Sequence, residues 1–248
     1  MKFSIIYCGY NNLEFTKKSL PVWIEASKKY DLRIAAVSVP FMEYKNITSY
    51  NDGTTEYIKQ AARDKLIDVC FDNPTYLKEA DARNLCLFYL MSHDCDYVFL
   101  ADSDEMYTVE EIGRIIEYVK TKPQIDCFEI QFKNYIFDGK SWIDGFHPFR
   151  IFKTSGQGGL SRFYWDNDVK FKNGKTQHDI ERVIIPKDIA FIRHLTWLHS
   201  NGKEKYEYHM KHFGLCSYNW NYKTNMLELN EQYYISKKEK IPEIHKEE

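Results

Sequence analysis

Three carboxylates stand within four residues at Asp102, Asp104 and Glu105, directly after the apolar run Tyr97-Val98-Phe99-Leu100-Ala101. The run reads as a strand buried on both faces. An acidic cluster cannot continue into a core, so it must sit where the strand leaves the sheet. In open α/β sheets that carboxyl edge is where ligands bind. In extended backbone Asp102 and Asp104 share a side while Ser103 points away. Two carboxylates aimed at one point repel unless something positive lies between them. A hard divalent ion, Mn²⁺ or Mg²⁺, takes such oxygen ligands and keeps positions open for phosphate oxygens. The competing reading is a solvated acidic turn that caps the next helix, and the buried strand in front of the cluster argues against it.

The elements that must position this cluster read as repeated strand–helix units. A strand is expected over 2–8, then a turn at 9–12 with Asn12 as N-cap of a helix over 13–29 that Pro21 kinks or restarts. A second buried strand covers 32–39 and ends at Pro40, followed by a surface loop over 41–51. Asn51-Asp52-Gly53-Thr54 reads as a turn, with Thr54 or Thr55 capping a helix to about 65. A short strand over 67–71 and a helix over 77–93 lead into the central strand. This alternation predicts parallel pairing with helices on both faces. Thr108-Val109-Glu110-Glu111 is a capping box, and the helix it opens carries Val109, Ile112, Ile115, Ile116 and Val119 on one face before Pro123.

From there the texture changes. Strands are expected over 126–137, 146–153 and 189–197, a glycine-bearing loop over 156–159, and a last helix from about 203. The fold class is α/β: a Rossmann-like, mostly parallel central sheet flanked by helices, with a mixed-strand second half and C-terminal helices. No repeat or flexible linker interrupts it. One domain over 1–235 is expected, with halves of about 1–107 and 108–235, and a charged, solvated tail over 236–248.

Composition bounds the function. The chain has 248 residues, 44% hydrophobic and 28% charged, as soluble globular proteins do. A formal net charge of −2 supplies no field for nucleic acid. No apolar run has the length of a membrane span and no signal peptide is apparent. The six cysteines lack CxxC spacing and read as free thiols, so a cytoplasmic location is expected. Aromatics at 16% suit stacking on ring-shaped ligands or an aromatic core equally.

Several segments, in order and spacing, resemble the GT-A glycosyltransferases of family two. They are 6–12, Glu79-Ala80-Asp81-Ala82-Arg83-Asn84, Phe99-Leu100-Ala101-Asp102-Ser103-Asp104-Glu105, Arg150-Ile151-Phe152, Gln177-His178-Asp179 and His194-Leu195-Thr196-Trp197. The resemblance runs from residue 2 to about 215. It implies a nucleotide-sugar donor (a UDP- or GDP-sugar) in the first half and a saccharide or other hydroxyl acceptor in the second. The implied transfer is inverting and assisted by Mn²⁺ or Mg²⁺.

Residue by residue, Asp104 resembles the metal ligand, with Asp102 on the ribose or reaching the metal through water. Glu105 orients the site or caps the helix. His194 resembles a late histidine that completes metal or diphosphate binding, the alternative being a hydrogen-bonded strand-end histidine. His199 stands where relatives carry a basic residue near phosphate, and Lys211 is a further candidate. Tyr10 and Asn11 border the nucleotide. Arg83 contacts base or diphosphate, or else snorkels from mid-helix to solvent. Asp179 resembles the acceptor-side base, with Glu181 its competitor. Relatives place an acid just after the second strand; here Ser38-Val39-Pro40-Phe41 stands there, with Glu43 and Asp52 the nearest acids, which leaves the donor's base open. Trp142, Trp165 and Trp197 either stack on sugar rings or pack in the core. The 156–159 loop is expected to act as a lid that orders over the donor.

Two other classes compete. A metal-dependent phosphoesterase could use Asp102, Asp104 and histidines, but the first strand ends in Cys8-Gly9-Tyr10 and offers no acid. A non-catalytic sugar- or nucleotide-binding protein would be marked by loss of the acidic cluster, which is intact. His209 and His212 lack the partners a zinc site needs and read as a polar helix face.

Overall fold

The computed structural model describes residues 1–42, 52–73, 75–136, 140–144, 147–156, 158–165, 168–195, 206, 218–221, 226–229 and 245–246. The elements run β1 (Phe3–Cys8), α1 (Leu13–Tyr30), β2 (Arg33–Ser38), α2 (Thr54–Arg63), β3 (Val69–Asp72), α3 (Glu79–Met91), β4 (Tyr97–Asp102), β5 (Glu105–Met106) and α4 (Val109–Lys120). They continue with β6 (Cys127–Glu129), β7 (Phe132–Ile136), β8 (Ser141–Asp144), β9 (Phe149–Lys153), β10 (Leu160–Trp165), β11 (Asp168–Phe171), β12 (Arg182–Ile184) and β13 (Ile192–His194). The last are β14 (Tyr218–Asn221), β15 (Met226–Leu229) and β16 (His245–Lys246). No helix among the described residues is long and apolar enough to cross a membrane.

The chain divides into two compact units, 1–131 with 147–192, and 132–146 with 193–248. The first is built on a seven-stranded sheet of order β12-β6-β9-β4-β1-β2-β3. The pairs β1–β2, β1–β4, β2–β3 and β6–β12 are parallel. Only β9 runs against its neighbours β4 and β6. The mostly parallel sheet expected from the strand–helix alternation is thus present, with one reversed strand. Of the elements following residue 107, α4, β6, β9 and β12 belong to the first unit.

Alternation along the buried strands sorts their side chains to two faces. Ile6, Cys8, Ala35, Val37, Val98 and Leu100 meet α3 and the antiparallel β10–β11 hairpin in one core, with Phe152 and Phe163. On the other face Trp23 of α1 packs edge-on against Phe99, 4.9 Å between rings, and Tyr107 joins them. The helix α1 continues through Pro21 as one element, so the chain does not restart there. Proline withholds one amide, and burial of Phe15, Leu20, Trp23 and Ala26 along the helix outweighs that single lost bond.

The capping box at Thr108 forms as expected, the hydroxyl accepting from the Glu111 amide while the Glu111 carboxylate accepts from the Thr108 amide. The caps of α1 and α2 differ from expectation. Gly53, at φ 96°, is the N-cap of α2. Asp52 does the capping chemistry, accepting from the Thr54 amide and hydroxyl with one oxygen and from the Leu13 amide with the other. One carboxylate thereby ties two helix N-termini.

In the second unit β7 pairs antiparallel with β8, and β8 with β16. Residues 245–246, within the segment read as a solvated tail, therefore take part in a sheet. A separate hairpin joins β14 to β15. The helix expected from about 203 lies, Tyr206 apart, outside the described residues.

Candidate active site

The strand order β3-β2-β1-β4 reverses direction of progression between β1 and β4, and in doubly wound sheets the carboxyl ends beside such a point form the ligand crevice. The register puts Cys8 opposite Asp102 there. Leu100 and Asp102 share the α3 face, so the Asp102 carboxylate meets the helix, while Ser103 turns to the α1 face. Extended geometry stops at Asp102. Residues 103–104 form a turn before β5, so the pairing of Asp102 with Asp104 on one extended edge is replaced by a division of labour.

Asp102 is clamped by arginines. Arg83 Nη2 donates to both of its oxygens at 3.1 and 3.3 Å. Arg150 Nη2 donates to Oδ2 at 3.3 Å. Arg83 is only 1% exposed and pairs also with Glu79, one helical turn earlier, at 2.5 Å. The snorkelling reading of Arg83 is therefore overturned: α3 directs it into the sheet, because a buried guanidinium needs carboxylate partners and Asp102 and Glu79 supply them. Arg150, 3% exposed, donates through Nε to both Glu105 oxygens at 3.0 Å and through Nη2 to one of them. Glu105 is 1% exposed. It orients the site through Arg150, and the helix cap is left to Thr108 and Glu111. Burial pushes the Glu105 carboxyl up to about 8, against the pull of Arg150, with the Asp102 charge adding to the rise. Asp102, at 23% exposure, is the outward end of this charged cluster.

Beside it, Tyr10 and Asn11 leave β1 at the same edge. Asn11 is buried and takes a left-handed φ of 50°. Burial raises the Tyr10 hydroxyl, and the Tyr76, Asp52 and Glu56 charges add to the rise. Asn12 occupies the cap position of α1, but its side chain does not cap: Nδ2 donates to Ser103 Oγ at 2.9 Å. The Cys8 thiol is buried and pushed up to about 12, which makes it an inert core thiol.

The remaining candidates each have their own surroundings. Asp179 is exposed, its Oδ2 accepting from the Thr176 amide and hydroxyl at 3.0 and 2.7 Å, which hold its carboxyl below the usual range. Glu181 is exposed just before β12 and interacts electrostatically with Asp126. His194, in the second unit, shares a hydrogen bond of 2.8 Å between Nδ1 and Asn134 Oδ1 and stacks on Phe132 at 4.3 Å. Trp142 has Lys133 Nζ 4.3 Å from its ring centroid. His199, Lys211, His209, His212, Trp197, Glu43 and the Trp165 side chain lie outside what is described.

The 156–159 loop does not lie where a lid would. It follows β9, which runs antiparallel to β4, and Thr154 and Ser155 donate to Asp96 at the amino end of β4. That is the sheet edge opposite Asp102.

Among the described residues no three or more His, Cys, Asp or Glu side chains gather as a metal-holding group. The donor chemistry nevertheless suits a hard cation at Asp104, a half-buried carboxylate in the turn. Asp102 suits it less, since guanidiniums already balance its charge. Arg150 and Glu79 are the site residues that sequence reasoning left without a role. The signal for Arg150 was its place in Phe149-Arg150-Ile151-Phe152, a lone cation on the inward side of a buried strand.

No protein-family model and no curated protein matches the chain. Among solved structures, TarS residues 1–349 from S. aureus is 14% identical, over 84% of this chain and 63% of that one, with a TM-score of 0.49. The same TarS segment in complex with UDP-GlcNAc is 16% identical, over 54% of this chain and 35% of that one, at 0.39. A Desulfovibrio desulfuricans G20 protein designated a nucleotide-diphospho-sugar transferase is 11% identical, over 62% and 64%, at 0.35. The chain thus spans roughly a third to two thirds of the length of these structures. Likenesses this distant leave the activity to be argued from the chain's own residues.

Proposed function

We propose that this chain is a glycosyltransferase that moves a sugar from a nucleotide-diphosphate sugar to a hydroxyl acceptor with inversion. The observation that carries the reading is Asp102 at the carboxyl edge of the β1–β4 switch point, held by two buried arginines, with Asp104 in the turn beside it. Its position agrees with the ordered motifs of the sequence.

The Asp102 carboxylate, fixed by Arg83 and Arg150, keeps lone-pair capacity on its outward side, which suits a hydroxyl of the ribose or the donor sugar. Tyr10 and Asn11 border the nucleotide. Asp104 would hold Mn²⁺ or Mg²⁺, with His194 and His199 proposed from the resemblance alone. Such an ion supplies Lewis-acid stabilisation of the charge that grows on the leaving diphosphate. On the acceptor side a carboxylate takes the proton of the attacking hydroxyl as the anomeric carbon changes partners, its configuration inverted. Asp179 is proposed for this, with Glu181 as competitor. The hydrogen bonds from Thr176 keep Asp179 ionised, and both engage Oδ2, so Oδ1 is the oxygen proposed to take the proton. The reducing cytosol is the proposed compartment.

The test is thermal shift across UDP- and GDP-sugars with and without Mn²⁺. A ligand of the folded state raises stability by mass action, so one donor class is expected to raise the melting temperature, more so with the metal. If no nucleotide sugar does so under either condition, the proposal fails.

A further inference from the structure

Ser103, between the two aspartates, is 4% exposed, and each of its polar groups is used inside the protein. Its amide donates to the Cys8 carbonyl at 2.8 Å. Its hydroxyl accepts from Asn12 Nδ2. Its carbonyl accepts from Ser19 Oγ at 2.9 Å. Ser19, on the buried side of α1, stands 2.7 Å from the hydroxyl of Tyr7. Since Ser19 spends its only proton on the Ser103 carbonyl, Tyr7 must be the donor of the Tyr7–Ser19 bond. The result is a directed chain, Tyr7 O–H to Ser19 O–H to the Ser103 carbonyl, running from the core of β1 through α1 to the acidic turn. Tyr7 is fully buried, and burial raises its hydroxyl far above the ordinary range, so it remains a donor at any physiological pH.

The remaining constraints converge on the same turn. Asn12, which holds the Ser103 hydroxyl, donates its own amide to Thr54 Oγ1 at 2.8 Å. A β-carbon at Gly9 would lie 3.3 Å from the Ser103 Cβ, so the β1 exit also closes against it.

We infer that Tyr7 and Ser19 are positioning residues for the acidic turn: their directed hydrogen bonds fix the Ser103 carbonyl and hence the direction in which Asp104 leaves β4. A buried serine and tyrosine that touch no ligand thereby set the geometry of the carboxylate proposed to hold the cation. The inference deepens the proposed function, and its direct test needs no ligand.

Hydrogen exchange is measured at the Ser103 and Asp104 amides, and at Ile5 and Phe99 in mid-strand, in the full chain carrying Ser19→Ala, Ser19→Thr, Tyr7→Phe and the Tyr7→Phe/Ser19→Ala pair. Loss of one buried hydrogen bond corresponds to about a five- to tenfold effect. Ser19→Ala is therefore expected to speed exchange at 103 and 104 by about that factor, leaving Ile5 and Phe99 unchanged. Ser19→Thr keeps the hydroxyl and restores protection. Tyr7→Phe has a smaller effect alone and none at the turn once Ser19 is alanine. Equal acceleration at all four amides, or none at the turn, would overturn the inference. In parallel, UDP affinity is titrated with and without Mn²⁺. Ser19→Ala should weaken only the metal-dependent part, again about five- to tenfold, with Ser19→Thr restoring it. A wild type without any metal-dependent part would defeat the metal reading while the exchange result still decides the positioning role. A normal metal-dependent affinity in Ser19→Ala would overturn the positioning role.

Discussion

Replacing Arg150 by methionine removes a charge from the most buried part of the site, and its cost can be worked from the geometry. The guanidinium makes two 3.0 Å bonds to Glu105, a further one through Nη2, and a 3.3 Å bond to Asp102. Both members of the Arg150–Glu105 pair are almost fully buried. Methionine of similar length leaves the Glu105 carboxylate without its cation and next to Asp102. Breaking one side of a buried pair costs about 3–5 kcal/mol, a large share of the 5–15 kcal/mol a domain typically has. Adding Glu105→Gln removes the charge stranded at alkaline pH, and there the double variant should recover most of that loss. The pH dependence follows in sign. The folded-state Glu105 carboxyl is already raised above its unfolded value, to about 8, and loss of Arg150 raises it further. The folded state then binds a proton that the unfolded chain releases, so stability falls as pH climbs from near 4.5 through 8 and beyond. Urea unfolding followed by tryptophan fluorescence, which the buried Trp23 should report, at pH 6 and pH 9 reads all three quantities. At pH 9, a loss below about 1 kcal/mol for Arg150→Met, where a breaking pair should cost several, would refute the reasoning. A double variant less stable than the single one would refute it equally.

Asp104→Ala is expected to abolish the metal-dependent part of UDP or GDP binding while leaving the unfolding midpoint in place, as titration calorimetry beside urea unfolding would reveal; equal metal-dependent affinity removes Asp104 from the site. Asp179→Asn should leave UDP affinity nearly unchanged and lower turnover about 10²–10⁴-fold. If Glu181→Gln does this instead, the base is Glu181. At Gly159 a β-carbon would come within 2.3 Å of the Thr154 carbonyl oxygen, so Gly159→Ala should cost several kcal/mol, on the order of the largest single-residue effects. Gly156, at φ 76° with open space around it, should cost only about 1 kcal/mol as alanine, a contrast that melting curves of the two variants would resolve.

The parallel strands were legible because burial on both faces leaves uninterrupted apolar runs, as in Ile5-Ile6-Tyr7 and Val98-Phe99-Leu100. The end of β4 was legible for the converse reason, since Asp102 cannot enter the core uncompensated. Compensation itself was not, because it comes from partners distant in sequence. Arg83 looks like a surface residue until β4 is placed against α3, and Arg150 acquires its role only when β9 inserts beside β4. Asp52 illustrates the same limit. Its neighbour Thr54 carries a good local capping signal, yet the carboxylate does the capping because it serves α2 and α1 at once. The glycine-bearing loop misled because glycine marks both mobile and tightly closed turns. Gly159 is closed, and the reversed direction of β9, invisible in local sequence, carries it away from the site.

The reversed strand β9 also dictates an order of assembly. Its neighbours β4 and β6 precede it in the chain, while residues 132–146 of the other unit intervene before it is made. On a ribosome delivering the chain N-terminus first, β1 to β4 can already pair while the outer edge of β4 stays open and Glu105 has no cation. Closure waits for a segment that brings in one stroke the missing edge and Arg150. Such a non-local step is slow, and an open hydrophobic edge in the interval invites the wrong strand. The same guanidinium that holds the site's carboxylates is thus the piece whose arrival completes the sheet, so defects there would be felt first in the yield of folded protein and only afterwards in chemistry.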